Sequence, residues 1–534
     1  MAINLCDPEN LAGQITTTAW DCCHKVSEVQ PDGSTTTWDY DDDGAVPPRV
    51  LPRRRHGDCL AHWASAVDNG ERSMLMQNRR TFLKMGVAGS AFLPTFVNLS
   101  AKAEGKNPVS RGHGREVNVG IVGFGKMGKI LSTYLMRCEG VRVRCVCDIW
   151  KFQVQQAKSF FKYYKQAVNT YLDFNEMLNA EAKNIEAVIV STPDWVHCSQ
   201  VCACLHRQLH VYCAAPMAET LEKSAEMCRA AKASGKLLQI GHYRRSSPVC
   251  QLAFRHVIPE MLGRLTFAQA ESRKLMAPMW TIKRPPKSDV LCANGYENAE
   301  QYLNWRWFRK YGPGLALQLL ASQVDMFCQA WRIPPNSVTA VGGHDVFRPS
   351  RENLDSLSSI FEFKLPDGLT AHATHHFAMA YKRTRFEFEE FNGIRAILHL
   401  SETYGLPKAD GPSNYVRRTI NLSGIEYKKK WRAFVDKGWI FPSDFDRECK
   451  DVVEFDCGPS DYNDMSTICP LNVKRDGKSD VMFHLENFLA AVRGEAELNA
   501  PAEQVFTSMV VAFGAIRSAA RRETVYFKPE DFTP

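Results

Sequence analysis

Apolar positions follow two rhythms along this chain, and the change of rhythm divides it. Residues 117–122 form a short apolar run that leads into Gly123-Phe124-Gly125-Lys126-Met127-Gly128. Met127, Ile130, Leu131, Tyr134, Leu135 and Cys138 then recur at three- and four-residue spacing, which predicts one face of a helix. Residues 141–147 alternate as a strand and end at Asp148. Further strands are predicted at 187–191, 210–213 and 237–240, with a helix over 219–233. Strands alternating with helices predict a doubly wound parallel sheet, here a first α/β domain over residues 115–240.

After Gly241 the period shortens to two. Strands are predicted at 265–271, 338–342, 358–363, 370–375 and 386–390, with few helices between them. That pattern predicts a second α/β domain, residues 241–534, built on an open, mostly antiparallel sheet. Residues 401–475 are rich in Gly, Pro, Asp and Lys and read as an irregular insertion or long surface loops. Leu485, Phe488, Leu489 and Val492 mark an amphipathic helix. Another is predicted from Asn499-Ala500-Pro501 to about Arg521, because Pro suits a first helical turn.

The first 110 residues differ from both domains. Residues 1–73 combine Thr35-Thr36-Thr37, the acidic Asp39–Asp43 stretch, Pro47, Pro48, Pro52 and Arg53-Arg54-Arg55 without a helical or strand period. Their composition predicts a poorly ordered extension, either upstream of the true start or a flexible arm. Residues 74–110 then carry Asn78-Arg79-Arg80-Thr81-Phe82-Leu83-Lys84, a weakly hydrophobic stretch at 85–96 and a small-x-small site at Ala101-Lys102-Ala103. In that order the three parts predict a twin-arginine signal and linker, a start at Met74 or Met76, and a mature chain beginning near Glu104. The expected location is the periplasm or another extracytoplasmic space.

Composition narrows the partners. The 534 residues are 45% hydrophobic and 23% charged, as in ordinary globular proteins. No run of about 18 apolar residues occurs, so no transmembrane helix is predicted. The 66 basic and 59 acidic residues leave a net charge of +7 without a concentrated basic stripe, so nucleic acid is not an expected partner. The 18 cysteines show no repeated CxxC and no Cys/His zinc spacing; reduced, buried thiols and no metal are expected.

The strand, glycine turn, helix, strand and acid in sequence predict a dinucleotide site. Gly123 allows the tight bend, Gly125 lets backbone approach a diphosphate, and Gly128 lets helix and strand pack closely. The backbone from Gly123 through Phe124, Gly125, Lys126, Met127 and Gly128 would face the phosphates at a helix N-terminus. Asp148 would accept hydrogen bonds from both ribose hydroxyls and repel a 2′-phosphate, which favours NAD over NADP. Thr192 and Pro193 end the next predicted strand at the same sheet edge. His197 follows them as either a cofactor-lining or a packing histidine.

In these motifs the chain resembles the Gfo/Idh/MocA oxidoreductases from about Glu116 to Val525. Further motifs carry the resemblance: Ser191-Thr192-Pro193 with His197, Val211-Tyr212-Cys213-Ala214-Ala215-Pro216-Met217, Gly241-His242-Tyr243-Arg244-Arg245, Trp305-Arg306-Trp307-Phe308 and His484-Leu485-Glu486-Asn487-Phe488. The resemblance implies a Rossmann domain, then a substrate and oligomerisation domain whose open sheet faces the nicotinamide. It implies NAD, a carbohydrate or cyclitol ligand and hydride transfer, and leaves a homo-oligomer open. Together with the twin-arginine pattern it resembles an exported branch of the family.

The family's Lys, Asp and His positions fall on Ala215, Gln318 and Ser322, none of which titrates near neutrality. Asp325 is retained. Removing a hydroxyl proton needs a base. Tyr243 and His376 are the candidates for that role; of the adjacent His375 and His376, at most one faces the cleft. Arg244, Arg245 and Asp325 are candidate substrate contacts, and Arg306, Trp305 and Trp307 either contact a sugar or belong to the core. The alternatives are NAD-dependent glycosidase-type chemistry and binding without turnover.

Overall fold

In a computed structural model of the chain, the structure describes residues 17–21, 24–29, 35–37, 115–274, 285–344, 351–379, 386–404, 416–423, 435–438, 468–470, 473 and 478–534. The chain divides into two compact units, Met1–Ala103 and Glu104–Pro534. The first holds a small antiparallel sheet of β1 (Thr17–Asp21), β2 (His24–Val29) and β3 (Thr35–Thr37), where the sequence shows no strand period. Its Thr-rich strands fit β-branched propensity rather than alternation. The twin-arginine and cleavage-site residues lie outside the described residues.

In the second unit, β4 (Val117–Val122), β5 (Val141–Cys147), β6 (Asn169–Tyr171), β7 (Ala187–Val190), β8 (His210–Cys213) and β9 (Leu238–Ile240) form a parallel sheet in the order β6-β5-β4-β7-β8-β9. The order reverses between β4 and β7, and that reversal opens a crevice at the strands' carboxyl ends. The connections are α1 (Lys126–Leu135), α2 (Lys151–Tyr163), α3 (Phe174–Glu181), α4 (His197–His206) and α5 (Leu221–Ser234). On α1, Leu131 and Leu135 are buried as predicted, but Met127 and Ile130 are both 37% exposed. The buried arc is therefore narrower than the apolar stripe, and Gly128 and Ser132 complete it. β6, α2 and α3 are not among the elements named from the sequence; α2 buries Val154, Ala157 and Phe161.

The second domain begins with α6 (Pro248–Leu252), which continues into π-helical turns over Ala253–Leu262. β10 (Leu265–Lys274), α7 (Ser288–Ala293), α8 (Ala299–Asn304) and α9 (Leu315–Trp331) follow, then β11 (Ser337–Gly343), β12 (Ser356–Lys364), β13 (Thr370–Met379), β14 (Phe386–Gly393), β15 (Ile397–Tyr404), β16 (Val416–Ser423) and β17 (Ile468–Pro470). The chain ends with α10 (Asp480–Val492), α11 (Ala502–Arg521) and β18 (Val525–Tyr526). Nine strands pair in the order β17-β16-β15-β14-β10-β13-β12-β11-β18, antiparallel except for β10 against β13. β15, β16 and β17 extend this sheet into the 401–475 stretch that reads as irregular.

Alternation sorts the sheet's faces. Ala268, Ala270, Phe361, Phe377 and Leu398 point inward under α9 and α11. The other face is open and exposes Val341 (54%) and Ile360 (55%). α10 packs with the first domain and with the 243–246 turn that follows it. Leu485, Phe488 and Leu489 share a core with Val119, Ile121 and Leu131. α11 touches both α5 and α9. The eleven cysteines from Cys138 to Cys328 are free, and nine of them are buried.

Candidate functional site

The turn after β4 is built as its glycines require. Gly123 takes φ +89°, and a Cβ on Gly128 would stand 2.1 Å from the Gly123 carbonyl oxygen, so α1 cannot approach the turn with any side chain there. Gly125 differs: its φ is −71°, and a Cβ there would meet nothing within 4 Å. It faces open space at the start of α1, whose first turn has no side-chain cap. Uncapped N–H groups beside an open glycine fit a diphosphate.

Asp148 ends β5 beneath this turn. Its Oδ2 accepts from the Phe124 N–H at 2.8 Å and its Oδ1 from the Trp150 N–H at 2.9 Å. Burial pushes its carboxyl up to about 6, against these two backbone donors. Each oxygen keeps acceptor capacity for a ribose hydroxyl. The Phe124 side chain turns into the core against Phe160 and Phe161, leaving its backbone to serve the turn. Lys126 is exposed. Across the crevice, Ser191 Oγ donates to the Gly123 carbonyl at 2.8 Å, a tie the sequence did not reveal. Thr192 Oγ1 donates to Gln200 at 2.6 Å, and Pro193 is half-buried.

His197 is a buried brace. Its Nε2 lies 2.8 Å from the Thr192 carbonyl and its Nδ1 3.1 Å from that of Pro216, next to the cis Ala215–Pro216 bond. It joins the segments that follow β7 and β8. Ala215 is half-buried just past β8, while Gln318 and Ser322 are half-buried one turn apart on α9.

The residues proposed for substrate have partners within the chain. Arg244 is buried and paired with Glu387 and Glu389 of β14. Arg245 makes a two-pronged ion pair with Asp325, Nε to Oδ2 at 2.8 Å and Nη2 to Oδ1 at 2.7 Å. Burial would raise the Asp325 carboxyl, but Arg245 and His242 hold it well below the usual carboxylate range. Removing one member of so buried a pair typically costs about 3–5 kcal/mol. Arg245 and Asp325 thus fasten the domain seam.

His376 does not share the sheet face that Arg244 reaches. Arg244, next to Tyr243, reaches the helix-covered sheet face, where His375 is buried. Strand alternation sends His376 to the open face, where its Nδ1 meets Ser358 Oγ at 2.7 Å. There it lines a hollow of about 490 Å³ with Gln269, Glu271, Ser358, Ile360 and Thr374. Trp305 and Trp307 belong to the core, with Arg306 and Arg351 stacked over them at 4.1 and 3.9 Å.

Asp194 is a further polar group at this edge that no sequence motif marks. It follows Thr192-Pro193 at the crevice, is 2% exposed, and its Oδ1 has no hydrogen-bond partner among the described residues. Burial raises its carboxyl to about 7, with Arg306 opposing and Glu219 assisting. Its place beside Thr192-Pro193 was a visible signal; its burial was not.

Residues 117–242 match the GFO_IDH_MocA family model, described as an oxidoreductase family with an NAD-binding Rossmann fold. This stretch carries the NAD-binding Rossmann domain of the Gfo/Idh/MocA oxidoreductases. The chain is also similar to inositol 2-dehydrogenase of Salmonella typhimurium, 33% identical over 134 residues, covering 24% of this chain and 38% of that protein. The 2,7-anhydro-N-acetylneuraminate hydratase of Escherichia coli is 21% identical over 228 residues, 43% of this chain and 53% of the relative. The chain thus spans about half or less of these relatives' length. Two solved structures share the fold through nearly their whole length. The WlbA dehydrogenase of Bordetella pertussis, in complex with NADH and UDP-GlcNAcA, has a TM-score of 0.52 and 15% identity, covering 78% of this chain and 99% of that one. The aldose-aldose oxidoreductase of Caulobacter crescentus, complexed with glycerol, has a TM-score of 0.55 and 17% identity, covering 77% and 100%.

Proposed function

We propose that this protein is an NAD-dependent oxidoreductase of the Gfo/Idh/MocA type for a carbohydrate or cyclitol that handles the substrate proton without the family's Lys, Asp and His. The turn carries the reading: open space at Gly125 beside an uncapped helix start, with Asp148 fixed beneath. NAD supplies the hydride acceptor. The Gly123–Gly128 backbone would hold its diphosphate, and Asp148 would accept from its ribose hydroxyls and disfavour a 2′-phosphate.

Ala215, Gln318 and Ser322 leave the hydroxyl proton without a base, and Asp194 is the group suited to take it. Its carboxyl, raised to about 7, is partly ionised at neutrality. Arg306, half-buried nearby, stabilises the ionised form. A panel of sugars and cyclitols with NAD tests the reading. Asp194→Asn should leave NAD affinity unchanged and slow turnover by roughly 10²–10⁴-fold. Tight NAD binding with no turnover of any polyol would favour the non-catalytic alternative, which Ala215 at the lysine position supports.

The twin-arginine pattern supports export of the folded, NAD-loaded protein. Replacing Arg79 and Arg80 with Lys should leave precursor in the cytoplasm, as cell fractionation would show; normal export of the double variant would refute the signal.

A further inference from the structure

Behind the cofactor crevice, three ligand atoms converge between two helices. Cys198 and Cys202 stand one turn apart on α4, and Glu226 reaches them from α5. One ligand atom from each lies within 4.8 Å of the other two, and the sulfurs are 4.0 Å apart. Both cysteines are buried, at 4% and 8% exposure, while Glu226 is exposed. The group is closed on the protein side and open on the carboxylate side.

The spacing suits coordination better than a disulfide. Metal–sulfur bonds of about 2.3 Å at a tetrahedral centre place two thiolates roughly 3.8 Å apart, within a few tenths of an ångström of the observed separation. A disulfide would need the sulfurs to close to about 2.05 Å. Two thiolates and one carboxylate select a soft or borderline cation over magnesium or calcium. Their three negative charges against a divalent cation leave one in excess, and Arg229 stands three residues after Glu226 on α5.

We propose that Cys198, Cys202 and Glu226 bind one thiophilic divalent cation of the zinc type, with water as the fourth ligand on the exposed side, pinning α4 to α5. Binding forms two metal–sulfur bonds and one metal–oxygen bond and releases the thiol protons to solvent. The sequence pattern does not show the site, because its third ligand comes from another helix. Its position ties it to the crevice: Cys198 follows His197, the brace between the Thr192 and Pro216 carbonyls. The inference stands on the α4–α5 pairing and does not depend on the reaction catalysed.

Titrating the cation-free, full-length protein with Co²⁺ tests it. One equivalent should give the intense visible bands of a tetrahedral centre and a sulfur-to-cobalt charge-transfer band, both bleached by Zn²⁺. Cys198→Ser with Cys202→Ser should abolish the charge-transfer band. Glu226 is exposed, so Glu226→Gln tests the site without opening the core. It should keep the band and weaken Co²⁺ binding at least as much as loss of an outer-shell partner, about 10–100-fold. Zn²⁺ should also raise the wild-type thermal midpoint more than that of Glu226→Gln. No charge-transfer band in the wild type, a band that survives the double cysteine replacement, or unchanged affinity in Glu226→Gln would overturn the proposal.

Discussion

Asp148 shows how one residue serves structure and selectivity together. Its carboxylate holds the Phe124 and Trp150 amides, so the turn keeps its shape before any ligand arrives. With its carboxyl raised to about 6, it is ionised at neutral pH and protonated in mild acid. Only the ionised form repels a 2′-phosphate. The preference for NAD over NADP should therefore shrink as pH falls through about 6, and Asp148→Asn should show a small preference at every pH. Titration of both cofactors across that range checks this; a constant ratio in the wild type would remove Asp148 from the ribose site. Arg245 and Asp325 make the opposite point. Each looked like a substrate contact, and each satisfies the other across the domain seam.

The strand–turn–helix unit of β4 and α1 separates two kinds of glycine. At Gly128 any side chain meets the Gly123 carbonyl at 2.1 Å, so Gly128→Ala should both destabilise the domain and abolish NAD binding. At Gly125 the backbone suits alanine and nothing stands within 4 Å. Gly125→Ala should thus keep the wild-type thermal midpoint while losing NAD affinity, because its methyl group occupies the diphosphate's space. Equal affinity in Gly125→Ala and wild type would place the diphosphate elsewhere. Elements also explain why the periodic pattern misled on α1. An apolar stripe marks what a helix can bury, and neighbouring elements decide how much of it they cover; here Met127 and Ile130 stay exposed.

At the scale of the molecule, two buried histidines make the fold acid-sensitive, and one of them, His484, joins distant segments. His484 of α10 lies with Nε2 2.9 Å from the Ile240 carbonyl and Nδ1 2.6 Å from Ser246 Oγ. His375 lies under the second sheet. Burial lowers both from 6.5 to about 3, so each folds as the neutral ring. The unfolded chain takes up their protons first, so the stability they contribute is full above pH 6.5 and is lost as pH falls toward about 3. Urea midpoints should fall over that window, and less steeply in His375→Gln; parallel curves would exclude His375 as a source. Local sequence was enough for the parallel α/β domain, its glycine turn and Asp148, because these depend on short-range periodicity and on backbone shapes that few residues adopt. The open antiparallel sheet was legible from period-two alternation. Only the tertiary structure could assign α10 to the first domain's core, send His375 inward and His376 to the open face, pair Arg245 with Asp325, bury Asp194 at the crevice, and bring Glu226 to Cys198 and Cys202. Each of those outcomes depends on contacts between residues far apart in the chain, and burial and pairing are properties of the packed neighbourhood, which no local pattern encodes.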